Sequence, residues 1–252
     1  MNKICAYNDK EEEVNILHFQ GGSINDFNKT FNFIKNNALL NPIPSNLSII
    51  SCWTNDSKCS LLYQCNINNI KLINAVPRDY NKSQPWNMLN KINFYINALK
   101  NVDTEYCMLL DGYDVLFCST DNLIEKFKHK GYKIIFNTSV YNYPPEEIDI
   151  IYNRDLYGLF KYFNAGCCIG YRNELIKFYE ECLEFINIEN KLNSEQKVLR
   201  HTFAKYSCNN NQNFIFFDFR KNIFHTMGNT TVNLIPDEYK LYIYPNIEKL
   251  NS

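Results

Sequence analysis

The stretch Tyr106-Cys-Met-Leu-Leu-Asp111-Gly-Tyr-Asp114-Val-Leu-Phe117 decides which fold the sequence predicts. Its first half is a short apolar run of the length that a buried strand needs. The run stops at Asp111 and Asp114, so both carboxylates are predicted to lie at the carboxyl end of this strand. Ligands of an open α/β sheet gather at that edge, and this turn is therefore the first candidate site.

The two aspartates have the chemistry of a divalent-cation site. Mg²⁺ and Mn²⁺ are hard cations that take oxygen ligands, often one or two carboxylates together with substrate phosphates. Acids that adjoin a buried strand also need a partner that neutralises them. Asp111 and Asp114 are therefore candidate ligands of Mn²⁺ or Mg²⁺ held for a nucleotide diphosphate. An ordinary acidic turn after a strand is the alternative that the pattern leaves open.

Composition narrows the class of protein. The chain has 252 residues and a net charge of −1, so no basic surface for nucleic acid or for an anionic membrane is predicted. No apolar run reaches the roughly 18–20 residues of a membrane span. Ten cysteines occur without a C-x-x-C pair, and several lie inside apolar runs. Because the start of the chain also lacks a signal-peptide pattern, we expect a reduced, cytoplasmic protein.

The rest of the chain alternates predicted strands and helices, which indicates an α/β fold. Residues 47–53 are a predicted strand, 58–66 a helix and 70–76 a second strand, and this unit predicts a parallel, right-handed crossover. We expect one α/β domain over residues 47–252. Residues 1–46 carry the weakest pattern and are predicted to be an N-terminal extension or a cap.

Candidate nucleotide contacts lie beside the predicted sheet edge. Cys52, Trp53 and Thr54 end the first strand, where a base or ribose binds in such a unit. Lys91 lies beside the apolar face of a predicted helix over 88–100, from which it could reach a diphosphate. A solvated lysine is the ordinary alternative.

A second informative stretch is Phe163-Asn-Ala-Gly-Cys-Cys-Ile-Gly-Tyr171. Gly166 permits close approach of another group, and the amide of Asn164 can both donate and accept a hydrogen bond. A glycine-bearing bend that leads into a strand explains the pattern equally well. Three further polar residues complete the candidates: Glu195 and Gln196 open a later predicted helix, and Asp218 ends a later predicted strand.

These motifs, in this order, resemble the glycosyltransferase domain of procollagen lysyl hydroxylases and the related collagen galactosyltransferases over roughly residues 47–250. Residues 110–117 are similar to that family's D-S-Y-D-V motif, and residues 163–171 to its N-S-G-x-x-I-G segment. Ser194-Glu-Gln196 stands in the place of its D-D-Q. Residues 217–224 resemble its L-D-x-x-x-x-I-F.

The resemblance implies a GT-A fold, with a mixed, mainly parallel sheet flanked by helices. It implies transfer of a hexose, glucose or galactose, from a UDP-sugar to an acceptor hydroxyl of a glycan or protein, with Mn²⁺ or Mg²⁺ bound by both aspartates. Tyr113 and Lys91 correspond to residues that contact the nucleotide in that family, and Gln196 is a further candidate for binding the nucleotide. Glu195 and Asp218 are the candidates for a general base, and Asn164 for a substrate contact.

One departure from the family concerns the metal. The family's third metal ligand is a histidine on a late strand, but Tyr244 occupies that place here. His225 is the candidate that replaces it, and a metal site reduced to the two aspartates, with water and phosphate, is the alternative. An active transferase is the first hypothesis, and a catalytically decayed protein that binds nucleotide or sugar on the same fold is the second. A nucleotidyltransferase, which also holds Mg²⁺ with carboxylates after a strand, is the third.

Overall fold

The computed structural model describes residues 5–19, 24–37, 40–81, 87–143, 145, 160–188, 194–208, 214–227, 230–235 and 240–245. The helices within these residues are α1 (Ile24–Asn37), α2 (Ser60–Ile67), α3 (Asn90–Lys100), α4 (Leu123–His129), α5 (Arg172–Ile188) and α6 (Glu195–Cys208). The strands are β1 (Cys5–Tyr7), β2 (Glu13–Val14), β3 (Ile16–His18), β4 (Leu47–Cys52), β5 (Leu72–Asn74), β6 (Tyr106–Asp111), β7 (Val115–Phe117), β8 (Ile134–Ser139), β9 (Tyr162–Tyr171), β10 (Ile215–Phe217), β11 (Phe224–Thr226), β12 (Thr230–Ile235) and β13 (Lys240–Pro245).

A six-stranded sheet, in the order β10-β8-β9-β6-β4-β5, forms the centre of the molecule. The pairs β10–β8, β6–β4 and β4–β5 are parallel, whereas β9 runs antiparallel to both β8 and β6. The carboxyl ends of β4, β6, β8 and β10 therefore meet at one edge. The register pairs Cys52 with Asp111, so the predicted nucleotide-binding and metal-binding residues start from neighbouring positions on that edge.

Helices cover both faces of this sheet, because alternate residues of its strands point to opposite sides. In β6, Cys107 and Leu109 join a core that also includes buried residues of α3, α5 and α6. Met108 and Leu110 join a second core that includes buried residues of α2 and α4. This arrangement confirms the predicted α/β class with a mixed, mainly parallel sheet, and it is compatible with a GT-A fold.

The N-terminal strands belong to two smaller sheets. β3 lies between β7 and β11, antiparallel to the first and parallel to the second. β1 pairs with β13 and β2 in a sheet of order β12-β13-β1-β2. Residues of the predicted extension or cap thus pair with strands from the middle and the end of the chain. None of the helices in the described ranges combines the length and the apolar character that a membrane crossing requires.

Candidate metal and nucleotide site

β3 brings His18 to the two aspartates. His18 ends β3 and pairs with Val115, the residue that follows Asp114. The Phe19 N–H donates to the Asp114 carbonyl oxygen at 2.8 Å, and the Met227 N–H donates to the His18 carbonyl oxygen at 2.7 Å. Main-chain bonds on both sides therefore fix His18 against the Asp-x-x-Asp turn.

The side chains of His18, Asp111 and Asp114 form a compact cluster. The Nε2 atom of His18 lies 3.6 Å from Asp111 Oδ2 and 3.5 Å from Asp114 Oδ2. One potential ligand atom from each residue lies within 4.8 Å of the other two, which is the spacing that three ligands of one cation need. The imidazole is buried, whereas both carboxylates are partly exposed, so the cluster opens towards solvent on the carboxylate side.

The charges in this cluster shift the pKa values of His18 and Asp114. Burial lowers the pKa of His18, but the carboxylates of Asp114 and Asp111 outweigh it, and the pKa is raised above its usual value. Burial likewise raises the pKa of Asp114, but His18 and the charge of Lys91 together outweigh burial, and the pKa is lowered below its usual value. The aspartate pair therefore attracts positive charge to this point of the sheet edge.

Gly166 of β9 makes room for the cluster. A Cβ atom built on Gly166 would lie 2.3 Å from Cε1 of His18 and 2.7 Å from Oδ2 of Asp111. Both distances are far shorter than a van der Waals contact, so the sequence prediction that Gly166 permits a close approach agrees with its position.

Lys91 connects the cluster to a buried glutamate. From the first turn of α3, its ammonium group contacts Oδ1 of Asp111 and lies 2.9 Å from Oε2 of Glu195. Burial lowers the pKa of Lys91, but Asp111 and Glu195 outweigh it and raise the pKa well above the usual value. Lys91 is 4% exposed and remains charged between the two carboxylates.

Glu195 opens α6 and carries one carboxylate oxygen without a partner. It is 2% exposed, and its Oε1 atom has no hydrogen-bond partner in the described part of the chain. Burial raises the pKa of Glu195 to about 7, although Lys91 opposes this shift. Glu195 therefore retains its proton to a higher pH than an exposed glutamate does.

We expect the pKa of Glu195 to make stability depend on pH. A carboxyl group whose pKa rises on folding stabilises the fold at low pH, and this contribution is lost as pH rises from about 4.5 to about 7. The free energy of unfolding of the wild type should therefore fall relative to that of Glu195→Gln by roughly 3 kcal/mol across this window, at about 1.4 kcal/mol per pKa unit. Urea unfolding at a series of pH values in EDTA measures it.

The matched control for this prediction is Glu184→Gln, because Glu184 is an exposed residue of α5. Its difference from the wild type should stay constant across the same pH window. A constant difference for Glu195→Gln as well would show that Glu195 titrates at the usual pH of a glutamate.

The predicted nucleotide contacts lie beside the cluster. The hydroxyl oxygen of Tyr113 accepts hydrogen bonds from the Thr54 N–H at 2.9 Å and from the Asn55 N–H at 3.2 Å. Trp53 is buried, and its indole N–H donates to Asp56 at 2.6 Å. Cys52 is buried next to Asp111 in the register. Tyr113 is 40% exposed, so its aromatic ring is accessible, unlike the ring of Trp53.

Asn164 and Gln196 contact β9 itself. The Oδ1 atom of Asn164 accepts from the Gly166 N–H at 2.9 Å. Gln196 accepts from the Ala165 N–H at 2.8 Å and donates to the Phe163 carbonyl oxygen. These contacts hold the segment that carries Gly166, and they occupy both ends of the Gln196 amide.

Asp218 is placed away from solvent, at the start of the turn before β11. Its carboxylate accepts from the N–H groups of Asn222 at 3.3 Å, Ile223 at 2.8 Å and Phe224 at 2.9 Å. Asp218 is fully buried, so these contacts fix the turn and direct the chain into β11. They do not support the prediction that Asp218 acts as a general base.

His225 does not reach the aspartates. Its register partner in β3 is Leu17, whereas His18 pairs with Thr226, so the two histidines point to opposite faces of these strands. The buried ring of His225 packs edge-on against Phe160 at 5.3 Å. Burial lowers its pKa to about 3, and the charge of Lys221 adds to this effect. His18 therefore lies beside the two aspartates, where the sequence predicted His225. The side chain of Tyr244 lies outside the described residues.

The fold and the site together define an α/β protein that is compatible with a GT-A fold and carries a His–Asp–Asp cluster at the carboxyl edge of its sheet. Residues 86–244, more than half of the chain, match the family model described as the PLOD GT domain. The chain belongs to the PLOD GT domain family. This membership indicates a glycosyltransferase, with a sugar donor and an acceptor as its partners.

The chain is similar to the procollagen-lysine,2-oxoglutarate 5-dioxygenase of Drosophila melanogaster, with 29% identity over 97 residues. The matched part is 38% of this chain and 14% of the relative. The family match begins at residue 86, so it does not include β3, and His18 lies outside the matched residues.

Proposed function

We propose that this chain is a metal-dependent glycosyltransferase that moves glucose or galactose from a UDP-sugar to a hydroxyl group of a glycan or protein. The observation that carries the proposal is the cluster of His18, Asp111 and Asp114 at the carboxyl edge of a GT-A-like sheet. Ligands of open α/β sheets bind at this edge, and the family match supplies the reaction class.

The residues of the cluster fit a divalent cation. Carboxylate ligands suit Mg²⁺ and Mn²⁺, while an imidazole ligand suits transition metals, so the combination favours Mn²⁺ over Mg²⁺. His18, Asp111 and Asp114 would hold the ion. When bound, it would stabilise the negative charge that develops on the departing diphosphate.

Lys91 and the residues around Tyr113 would bind the donor. Lys91 is held at Asp111 by its second contact with Glu195, and this places a fixed positive charge beside the metal-binding carboxylates. Thr54 follows the neighbouring strand β4, and its N–H donates to the hydroxyl oxygen of Tyr113. The nucleoside would bind beside these two residues. Cys52, Trp53 and Gln196 would support this half of the site through the strands that they anchor.

Glu195 is the carboxylate that we propose as the general base. A base works best when its pKa lies near the pH of the reaction, and burial raises the pKa of Glu195 to about 7. Its Oε1 atom has no partner among the described residues and remains available to a proton. Because Glu195 is 2% exposed, an acceptor hydroxyl would reach Oε1 only after the residues that cover it move. Asn164 would act through the strand segment that it braces.

His18 bears on the choice between an active and a decayed transferase. The second hypothesis depended on two departures from the family: Tyr244 in place of the histidine of the late strand, and Ser194 in place of the first aspartate of D-D-Q. An imidazole from β3 supplies a nitrogen ligand from another part of the chain. This observation favours an active enzyme.

The test is a donor and metal panel on the purified chain. UDP-glucose and UDP-galactose are incubated with Mn²⁺, with Mg²⁺ or with EDTA, and the released UDP is measured. We expect release with at least one donor, greater with Mn²⁺ than with Mg²⁺, and none above background in EDTA. Equal release in EDTA would remove the metal from the proposal. No release from either donor, together with no Mn²⁺-dependent heat of UDP binding, would overturn it.

A further inference from the structure

The metal cluster is assembled from two different sheets. Asp111 ends β6 of the central sheet, whereas His18 ends β3 and Asp114 directly precedes β7, two strands of the three-stranded sheet. The distances between Asp111 and the other two side chains therefore depend on how the smaller sheet is held against the central one. A group that bonds the two parts together can set these distances without contacting the cluster.

Helix α2 carries such a group, the buried side chain of Gln64. Gln64 is 1% exposed, and its amide bonds both main-chain groups of Phe117, the last residue of β7. The Phe117 N–H donates to Oε1 of Gln64 at 2.8 Å, and Nε2 of Gln64 donates to the Phe117 carbonyl oxygen at 2.6 Å. Because β7 is the edge strand in the order β11-β3-β7, the glutamine takes the place of a further strand at this edge.

The amino end of α2 holds the other end of the same segment. The Leu61 N–H donates to the Gly112 carbonyl oxygen at 3.3 Å, and the thiol of Cys59 donates to the same oxygen at 3.1 Å. Burial raises the pKa of Cys59 to about 11, so the thiol keeps its proton at neutral pH. The segment that contains Asp114 is thus bonded to α2 at both ends, at Gly112 and at Phe117.

The same helix is anchored on the central sheet. Leu61 and Cys65 of α2 are fully buried in the core that includes Met108 of β6. Phe117 belongs to this core too, so apolar packing also joins the two sheets. Apolar packing is non-directional, whereas hydrogen bonds require defined distances and angles. The bonds from α2 therefore define the position of the Asp114 segment more sharply than packing does.

We propose that Gln64 is a positioning residue that holds Asp114 at the distance from Asp111 that a shared cation requires, and that Cys59 does the same at Gly112. The inference rests on the proposed metal-dependent transferase. Loss of a group that bonds a metal ligand directly typically costs about 10- to 100-fold in metal affinity. Gln64 acts one step further away, through the main chain of β7, so its loss should cost less.

The experiment is a Mn²⁺ titration of the full chain without nucleotide, followed by the electron paramagnetic resonance signal of free Mn²⁺. Gln64→Met keeps the length of the side chain and removes both bonds to Phe117. We expect it to bind Mn²⁺ about 3- to 10-fold more weakly than the wild type, a smaller loss than that of a direct partner of a ligand. Cys65→Ala is the matched control, because it opens a cavity beneath the same helix and leaves these bonds in place. It should lose stability in urea and retain the wild-type affinity.

A second pair of variants tests the bond to Gly112 by rescue. Cys59→Ala removes the donor, whereas Cys59→Ser supplies a hydroxyl donor at the same position. Cys59→Ala should weaken Mn²⁺ binding, as Gln64→Met does, and Cys59→Ser should restore the affinity towards the wild-type value. A role in packing alone would leave the two Cys59 variants with equal affinities.

The outcomes separate this inference from the proposed function. No Mn²⁺ binding by the wild type would overturn the metal site and this inference with it. Wild-type affinity in Gln64→Met, or an equal loss of affinity in Cys65→Ala, would overturn the positioning role and leave the metal site intact. If Gln64→Met does not fold, the Cys59 pair decides: a loss in Cys59→Ala that Cys59→Ser does not show supports the inference, and equal affinities overturn it.

Discussion

His18→Ala is expected to reduce Mn²⁺ affinity by about 100-fold or more, and His225→Ala to leave it unchanged. The loss of a residue that merely supports a ligand already costs 10- to 100-fold, and the loss of the ligand itself should cost at least as much. Both histidines are buried, and they lie on the paired strands β3 and β11. Each substitution therefore leaves a cavity where a buried imidazole was. Only His18 points to Asp111 and Asp114.

The measurement is a Mn²⁺ titration of the full chain without nucleotide, followed by the electron paramagnetic resonance signal of free Mn²⁺. UDP release from the preferred donor is measured beside it. His18→Ala should lose both, as Asp114→Ala should, while His225→Ala should lose stability alone. Urea unfolding in EDTA separates the two effects, because it reports the cavity without the metal. An unchanged Mn²⁺ affinity in His18→Ala would show that His18 forms ion pairs with the aspartates that stabilise the fold and does not bind the metal. A loss of Mn²⁺ affinity in His225→Ala that its loss of stability does not explain would show that His225, on β11, is the third metal ligand.

Much of the central sheet could be predicted because its signals are local. The run that ends at Asp111 is apolar over the length of one strand, and β6 occupies residues 106–111. The helix predicted over 88–100 is α3, residues 90–100, since its apolar residues recur at helical spacing. The same spacing puts Lys91 beside the apolar face of this helix, with a solvated lysine as the alternative, and α3 directs it to Asp111.

The third member of the cluster could not be predicted in this way. His18 meets Asp111 and Asp114 because β3, a strand of three residues, pairs with β7, another strand of three residues, nearly 100 positions later. Such short strands carry too little pattern to stand out, and pairing between distant segments leaves no mark on local sequence. The available signal was the apolar segment around 14–19 with a single histidine in it.

The predicted roles of His225 and Asp218 show the limit of a motif without its geometry. His225 lies one residue from the register position opposite His18, and that single step turns its ring to the other face. Asp218 follows an apolar strand as Asp111 does, but three main-chain N–H groups occupy its carboxylate. A carboxylate after a strand therefore indicates either a ligand or the anchor of a turn, and its neighbours decide which.

Gly166→Ala is expected to lower the Mn²⁺ affinity by at least about 10-fold, which is the loss that follows the removal of a residue supporting a metal ligand. The added methyl group would lie 2.3 Å from His18 Cε1 and 2.7 Å from Asp111 Oδ2, so both side chains or the strand must move. His18 cannot easily give way, because main-chain bonds to Asp114 on one side and Met227 on the other hold its strand. Overpacking of this kind typically costs 1–3 kcal/mol of stability as well.

Gly170→Ala is the matched control, because β9 contains both glycines and both are crowded. A Cβ atom on Gly170 would lie 2.9 Å from the Lys133 carbonyl oxygen and 3.1 Å from side-chain carbons of Ile134 and Leu175. Gly170 pairs with Cys107, near the amino end of β6, whereas Asp111 lies at the carboxyl end. Both variants should lose stability in urea, but only Gly166→Ala should lose Mn²⁺ affinity. Equal Mn²⁺ affinities in the two variants would mean that the space at Gly166 serves the packing of β9 and not the approach of His18 to Asp111.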